Sequence, residues 1–361
     1  MHPSQRLVAV LAATLISAFA WTGGAGCSGA SPSLDAPAIA SDGLDAGGGE
    51  GEGGDAPPSR LGSPSASASS PAPPPAAPDA GPLTTRLRIT SNCAAPIWIA
   101  HSDNVPDTQN LQLTRGQSHD YAIPDAGLSA TRFWPKTGCN GAGHDCQVGD
   151  SGEGGGKPCP ASGCQPPVDS KFEATFAPKG GGAQTWYNLS QVDGYTLPFK
   201  VEPRGAGAGQ GSCVSSDCSG LSLDRCPGSE DLSGGGRYAG YAHEDLRVRD
   251  AAGNVVACMA PCKKWNYPAP WGLGQAESAD PGLHLCCPTP VDPASGQCTE
   301  ANHCMTSGAC SNAADPVSVV HTGYVAAMRA MCPSAYSYAY DDAAGLHACS
   351  SQTGFEVTFC P

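Results

Sequence analysis

The clearest pattern along the chain is alternation. Leu87 and Ile89, then Ile97 and Ile99, take every second position on either side of Asn92-Cys93, the period-2 signature of half-buried strands. Phe172-Glu173-Ala174-Thr175-Phe176 and Phe355-Glu356-Val357-Thr358-Phe359 alternate in the same way. Turn formers punctuate these runs at Pro124-Asp125, Gly180-Gly181-Gly182 and Asp193-Gly194. Short strands so punctuated predict a mainly β fold, a β-sandwich. One helix interrupts the pattern. Asp315 suits an N-cap and Pro316 a first helical residue. Val320, Tyr324, Ala327 and Met331 then follow at steps of three or four, until Pro333 ends the run. The helix falls in the most cysteine-dense stretch, 213–349, which has little apolar core of its own and needs covalent staples.

Upstream of residue 85 the pattern disappears. Residues 28–84 hold no aromatic residue and no cysteine, and are mostly Gly, Pro, Ala and Ser with scattered acids. Such a segment cannot bury enough apolar surface to offset its chain entropy, which predicts a disordered tether with ends roughly 40 Å apart. Before it, Arg6 precedes an apolar run at 7–20, the length of a signal-peptide core and short for a bilayer span. Two processing sites compete. Ala18-Phe19-Ala20 suits ordinary secretion, and Gly24-Ala25-Gly26-Cys27 is a relaxed bacterial lipobox with Gly24 where Leu or Val is usual. Cys27 is the only cysteine outside the globular region, and setting it aside leaves an even number. Lipidation at Cys27 is therefore the favoured expectation. The chain divides into a signal peptide at 1–27, a linker at 28–84 and a domain at 85–361. Within the domain, a sandwich core at about 85–212 and 350–361 flanks the disulfide-rich stretch at about 213–349. The expected location is the bacterial cell surface or outer membrane as a lipoprotein, or the medium as a secreted protein. No later segment is apolar enough to cross a membrane.

Charge and cysteine content narrow the chemistry. Lys and Arg total 19 against 33 Asp and Glu, a formal net charge of -14. Nucleic acid and anionic lipid surfaces would repel such a chain. A neutral or cationic partner is natural, and neutral polysaccharide fits. The 361 residues carry 19 cysteines, a density found in exported proteins or in binders of several metals. Cys258 with Cys262, and His303-Cys304 with Cys310, have spacings that could suit zinc, but no clean pair of knuckles appears. With an export signal present, the reading is disulfides, with no metal and no cofactor, in a monomer.

Several segments carry a resemblance. In order they are Ile89-Thr90-Ser91-Asn92-Cys93, Arg132-Phe133-Trp134-Pro135-Lys136-Thr137-Gly138-Cys139, Val192-Asp193-Gly194-Tyr195 and Cys286-Cys287. Cys332-Pro333-Ser334-Ala335-Tyr336-Ser337-Tyr338 and Phe355-Glu356-Val357-Thr358-Phe359-Cys360-Pro361 complete the set. Together they resemble the thaumatin-like protein family, osmotin-type plant defence proteins included, over about 86–361. The resemblance implies a flattened β-sandwich with a disulfide-rich loop and helix region. It also implies a pairing: Cys93 with Cys360, Cys139 with Cys146, Cys159 with Cys164, Cys213 with Cys349, Cys218 with Cys332, Cys226 with Cys258, and Cys262 with Cys286. The expected remainder is Cys287 with Cys298 and Cys304 with Cys310. Two departures stand out. The family's Cys-x-Thr-Gly-Asp-Cys signature reads Cys146-Gln147-Val148-Gly149-Asp150-Ser151, its second cysteine displaced to Cys159 behind a Gly-rich insertion. The stretch 265–285 is also expanded relative to compact members.

The resemblance further implies a cleft lined by an Arg and four acids. Carried over by motif, these are Arg132, Glu173, Asp193 and Asp341, with Asn188 where one acid is expected. Two carboxyls flanking a glycosidic bond can hydrolyse it, one protonating the leaving oxygen, the other activating water or attacking directly. Clustered acids raise at least one pKa, which keeps the proton donor loaded near neutrality. On this reading Glu173 is the general acid, Asp193 the base or nucleophile, and Arg132 orients a neighbouring carboxylate. Tyr195, beside the Asp193-Gly194 turn, is the expected sugar-stacking residue, with Tyr336, Tyr338 and Tyr340 as further flat faces or as core. Three functions compete: hydrolysis of β-1,3-glucan with an antifungal or cell-wall-directed role, glucan binding without turnover, and inhibition of another organism's enzyme.

Overall fold

The computed structural model describes residues 83, 85–150, 168–236, 238, 240–277, 280–287 and 312–361. The expected signal peptide, the Cys27 lipidation site, most of the expected linker, and the Cys159–Cys164, Cys298 and Cys304–Cys310 assignments lie outside the described residues.

The alternating runs form strands where the pattern places them. The first strands are β1 (Leu87–Ser91), β2 (Ile97–His101), β3 (Leu111–Leu113), β4 (Gln117–Tyr121) and β5 (Leu128–Lys136). Next come β6 (Lys171–Phe176), β7 (Gln184–Ser190), β8 (Gly194–Tyr195), β9 (Phe199–Arg204) and β10 (Ser216–Cys218). The remaining strands are β11 (Arg247–Arg249), β12 (Val255–Met259), β13 (His347–Ser350) and β14 (Gly354–Phe359). Helices α1 (Pro261–Asn266), α2 (Asp280–Cys286), α3 (Gly323–Met331) and α4 (Asp342–Gly345) all fall in the cysteine-dense stretch.

One sheet runs β10-β9-β14-β1-β4 and a second runs β13-β7-β6-β5-β2-β3. β1 and β14 pair in parallel at the centre of the first sheet, Leu87 opposite Phe355 and Ser91 opposite Phe359. Every other residue of these strands points inward, and the two inner faces meet in one core. Phe355 of the first sheet lies 4.7 Å from the Tyr187 ring and 6.1 Å from the Phe172 ring of the second. Tyr121 meets Phe133 at 4.9 Å in the same way. Leu87, Ile89, Phe172, Phe199, Phe355 and Val357 are completely buried. Each such side chain contributes about 1.5–3 kcal/mol through removal of apolar surface from water. A third, smaller sheet, β11-β12-β8, attaches through Cys258 opposite Tyr195. β10 and β13, both from the cysteine-dense stretch, form outer strands of the two large sheets.

Six of the implied disulfides are present: Cys93–Cys360, Cys139–Cys146, Cys213–Cys349, Cys218–Cys332, Cys226–Cys258 and Cys262–Cys286. Cys287 is disulfide-bonded as well.

The helix expected from Asp315 starts later. Residues 319–321 form a 3-10 turn and α3 begins at Gly323. Its cap is Thr322, whose Oγ1 accepts from the Val325 N–H. The Glu230 carboxylate, from far upstream in the chain, accepts from the Gly323 N–H at 2.9 Å and the Tyr324 N–H at 2.7 Å. Asp315 instead accepts from the Val317 N–H and pairs with His284. The β-branched residues Val317, Val319 and Val320 weaken helix propensity just where Thr322 and Glu230 satisfy the N-terminal donors. The buried face is Tyr324, Val325, Met328 and Met331. Thr322→Ala is expected to cost about 1 kcal/mol in chemical denaturation, and Asp315→Ala distinctly less. Equal costs would return the cap to Asp315.

Candidate functional site

β5, β6 and β7 are adjacent antiparallel strands, and their register sets three of the predicted residues in a row. Arg132 lies directly opposite Glu173, and Glu173 directly opposite Asn188. Phe133, Phe172, Ala174 and Leu189 take the other parity and fill the core. Arg132, Glu173 and Asn188 therefore share the outer face. Arg132 Nε lies 2.9 Å from Glu173 Oε1, an ion pair that fixes both side chains. Arg132 is held from behind by Ser102, whose Oγ accepts from the Arg132 N–H at 2.9 Å. Asn188 is 6% exposed, and its Oδ1 has no hydrogen-bond partner among the described residues. A buried, unmet acceptor of this kind is costly unless a ligand or water completes it.

Asp193 is placed differently from the expectation. Its carboxylate forms ion pairs with Lys171 Nζ and, at 3.1 Å, with Lys263 Nζ of α1. Burial alone would push this carboxyl up. Attraction to Lys171 and then Lys263, with the hydrogen bonds from both, overturns that and holds it well below the usual carboxylate range. Lys171 and Glu173 are two residues apart on one face of β6, about 7 Å along the strand. A lysine therefore stands between the two carboxyls of the implied catalytic pair. The repulsion among clustered acids expected to raise a pKa is absent at Asp193, where two cations face one anion.

Asp341 is also compensated. It is 3% exposed, accepts from Arg329 Nη2 at 2.5 Å, and accepts from the Ser337 N–H at 3.0 Å. Its neighbour Asp342 is the exposed acid, accepting from the Tyr336 hydroxyl at 2.5 Å. Burial, followed by that hydrogen bond and the charges of Asp342, Glu173 and Asp341, pushes the Tyr336 hydroxyl far above the phenol range. Tyr336 thus lies within electrostatic reach of Glu173. Its backbone runs beside the end of β7, with the Tyr336 N–H donating to Leu189 O and the Gln191 N–H to Tyr336 O.

Tyr195 presents no face to a ligand. It is fully buried, its hydroxyl donates to Ser222 O at 3.0 Å, and its ring packs 6.2 Å from Tyr324. The reason is the pairing of β8 with β12, which puts Tyr195 opposite Cys258 beneath the small sheet. Tyr336 and Tyr338 are 9% and 8% exposed and belong mainly to the packing. Three further residues lie at or beside this face that the motif does not name: Lys171, Lys263 and Trp186. Trp186 is half-buried and two positions before Asn188, hence on its face of β7. Period-2 counting from Glu173 and Asn188 signals Lys171 and Trp186. Nothing local signals Lys263.

A separate cavity of about 120 Å³ lies at the start of α3, with Glu230, Tyr238, His284 and His321 in its wall. Arg132, Glu173, Asn188 and Asp193 do not line it.

With this geometry established, comparison with known proteins is direct. The thaumatin family model matches residues 91–280 and 275–361. The chain belongs to the thaumatin family. Among relatives of this thaumatin-family chain is a glucan endo-1,3-beta-glucosidase of Prunus avium, 27% identical over 78% of this chain and 92% of that protein. Pathogenesis-related protein 5 of Arabidopsis thaliana is 29% identical over 77% of this chain and 91% of its own. Thaumatin-like protein 1b of Malus domestica is 30% identical over 70% and 90%. A solved structure, that of a thaumatin-like xylanase inhibitor, aligns with a TM-score of 0.29 at 14% identity, covering 77% of this chain and 100% of that one.

Proposed function

We propose that this thaumatin-family chain is an exported protein that binds β-1,3-glucan along the strip Arg132–Glu173–Asn188 and holds it without cleaving it. The supporting observation is that strip: a guanidinium, a carboxylate and an amide with an unmet acceptor, set in register on one sheet face. These groups match sugar hydroxyls, which both donate and accept. Export agrees with the disulfides among the described residues, bonds that the cytosol would reduce. Turnover is disfavoured by the cation placed at each acid: Arg132 on Glu173, Lys171 and Lys263 on Asp193, Arg329 on Asp341. An ionised Asp193 shared by two ammonium groups is a weak base and a weak nucleophile.

A second reading, hydrolysis of the same polymer, is favoured by the name of the Prunus avium relative. In it Glu173 gives the proton. One experiment separates the two: retention of the full chain on insoluble β-1,3-glucan, with reducing ends counted in parallel. Wild type should be retained and release no reducing ends. Asn188→Ala should weaken retention about tenfold, the worth of one buried hydrogen bond. Reducing ends that vanish in Glu173→Gln would establish hydrolysis instead. No retention across a broad pH range would end the glucan reading.

A further inference from the structure

Residues 265–285 include a partly buried aromatic pair that the strip does not use. Tyr267 and Trp271 are both half-exposed, their ring centroids 6.3 Å apart and inclined at 69°. The loop that carries them is rigid by its own hydrogen bonds. The Gly272 N–H donates to Pro268 O, Leu273 to Lys264 O, Gly274 to Tyr267 O at 2.8 Å, and Gln275 to Trp265 O. Gly272 packs so closely on the Tyr267 carbonyl that a Cβ there would collide with it. Trp265, 2% exposed, anchors the base by donating from Nε1 to Ala276 O at 3.0 Å.

The position of this loop is tied to the candidate site. The Ala260 N–H donates to Asp193 O, Lys263 reaches the Asp193 carboxylate, and the Tyr267 N–H donates to Lys263 O. Both rings pack on the cluster of Val168, Met259 and Ala257. Val168 stands three residues before Lys171, and its side chain closes on Gly194. The rings are thus tied, through Val168 and α1, to the Lys171–Asp193–Lys263 cluster, whose Lys171 stands two residues along β6 from Glu173 of the strip.

We propose that Tyr267 and Trp271 form a stacking platform for a sugar ring of the neutral glucan chain, lengthening the strip into an extended subsite beyond Asp193. This rests on the glucan reading above. Flat aromatic faces bind the apolar faces of sugar rings by dispersion and burial, while their polar edges stay wet. Such rigid, amphipathic rings are ordered in advance, so little side-chain entropy is lost on binding. The net charge of -14 turns away polyanions, and a neutral polymer meets no such penalty. The strip supplies hydrogen bonds and the platform supplies area, so affinity should depend on chain length.

The test is a length series of β-1,3-glucan oligosaccharides titrated into the full chain. Affinity of the wild type should rise with length. Trp271→Ala should weaken the longest oligosaccharide about tenfold and leave the shortest nearly unchanged. Trp271→Phe, which keeps a flat face, should recover most of the loss. In the wild type, a long oligosaccharide should shield Trp271 from oxidation by N-bromosuccinimide, read by peptide mass spectrometry. This second measurement needs no variant to fold. If Trp271→Ala binds long and short oligosaccharides as the wild type does, or Trp271 oxidises equally with and without sugar, the platform is wrong and the strip stands. If the wild type binds no oligosaccharide of any length, the glucan reading falls and takes the platform with it.

Discussion

Asp193→Ala is expected to destabilise the domain by about 3–5 kcal/mol at neutral pH, the cost of removing one partner from a buried charge cluster. Lys171 and Lys263 are each 4% exposed and both aim at this one carboxylate. Without it, two ammonium groups remain buried side by side. Both lose the carboxylate they share inside the protein, which favours the unfolded chain. The cluster also ties β6 of the sandwich to α1 of the cysteine-dense stretch. Asp193→Asn should be milder, because the amide oxygen still accepts a hydrogen bond, but it leaves the charge uncompensated.

The same carboxylate predicts a pH dependence. Its folded pKa is depressed, so its contribution is fully present above the unfolded value of about 4. As pH falls below that value, the unfolded chain takes up a proton that the folded state refuses. Stability is therefore lost progressively from about pH 5 downward, on the order of 3 kcal/mol in all. Thermal unfolding from pH 7 to pH 2 should show a steeper acid loss in wild type than in Asp193→Asn. Comparing the two removes the parallel contributions of other depressed carboxyls, such as Asp107 and Asp245. Parallel curves would mean that the lysines do not hold Asp193 ionised.

Removing the Cys93–Cys360 bond by a double serine substitution is expected to cost about 4 kcal/mol. The bond joins residues 267 apart in sequence, just past the ends of the parallel strands β1 and β14. Cys213–Cys349 and Cys218–Cys332 already shorten the path between them. Halving a loop changes its closure entropy by only about 0.6 kcal/mol, so most of the effect survives. In the folded state the β1–β14 ladder and the Asn92 N–H to Phe359 O bond keep the ends together without the disulfide. The loss therefore comes mainly from the greater freedom of the unfolded chain. A melting point about 10 °C lower, with glucan retention unchanged below it, is the expected result. An unchanged melting point would show that the other staples already confine the unfolded chain.

The parts of the site differ in how well they can be read from the chain. Arg132, Glu173 and Asn188 follow from strand periodicity joined to motif, because antiparallel register converts sequence parity into a shared face. Lys171 obeys the same parity and was legible in principle. Lys263 was not, since its approach to Asp193 depends on where α1 docks. Asp341 looked like a cleft acid because its motif carries one, yet Arg329 of α3 claims it. Tyr195 looked like a ligand face because it follows a polar turn, yet β12 covers it.

By itself the sequence determined the mainly β fold, its principal strands and, through the family's cysteine spacing, the covalent frame from Cys93 to Cys360. These follow from local periodicity and from residues whose chemistry allows few uses. Only the tertiary structure decided where α3 begins, because the Glu230 carboxylate, 93 residues before Gly323 in the chain, joins the Thr322 cap in taking its first N–H groups. It alone also decided that Asp193 is held ionised between two lysines. The field at a carboxylate is set by whichever cations packing brings within a few ångströms, and packing joins residues that no local pattern connects.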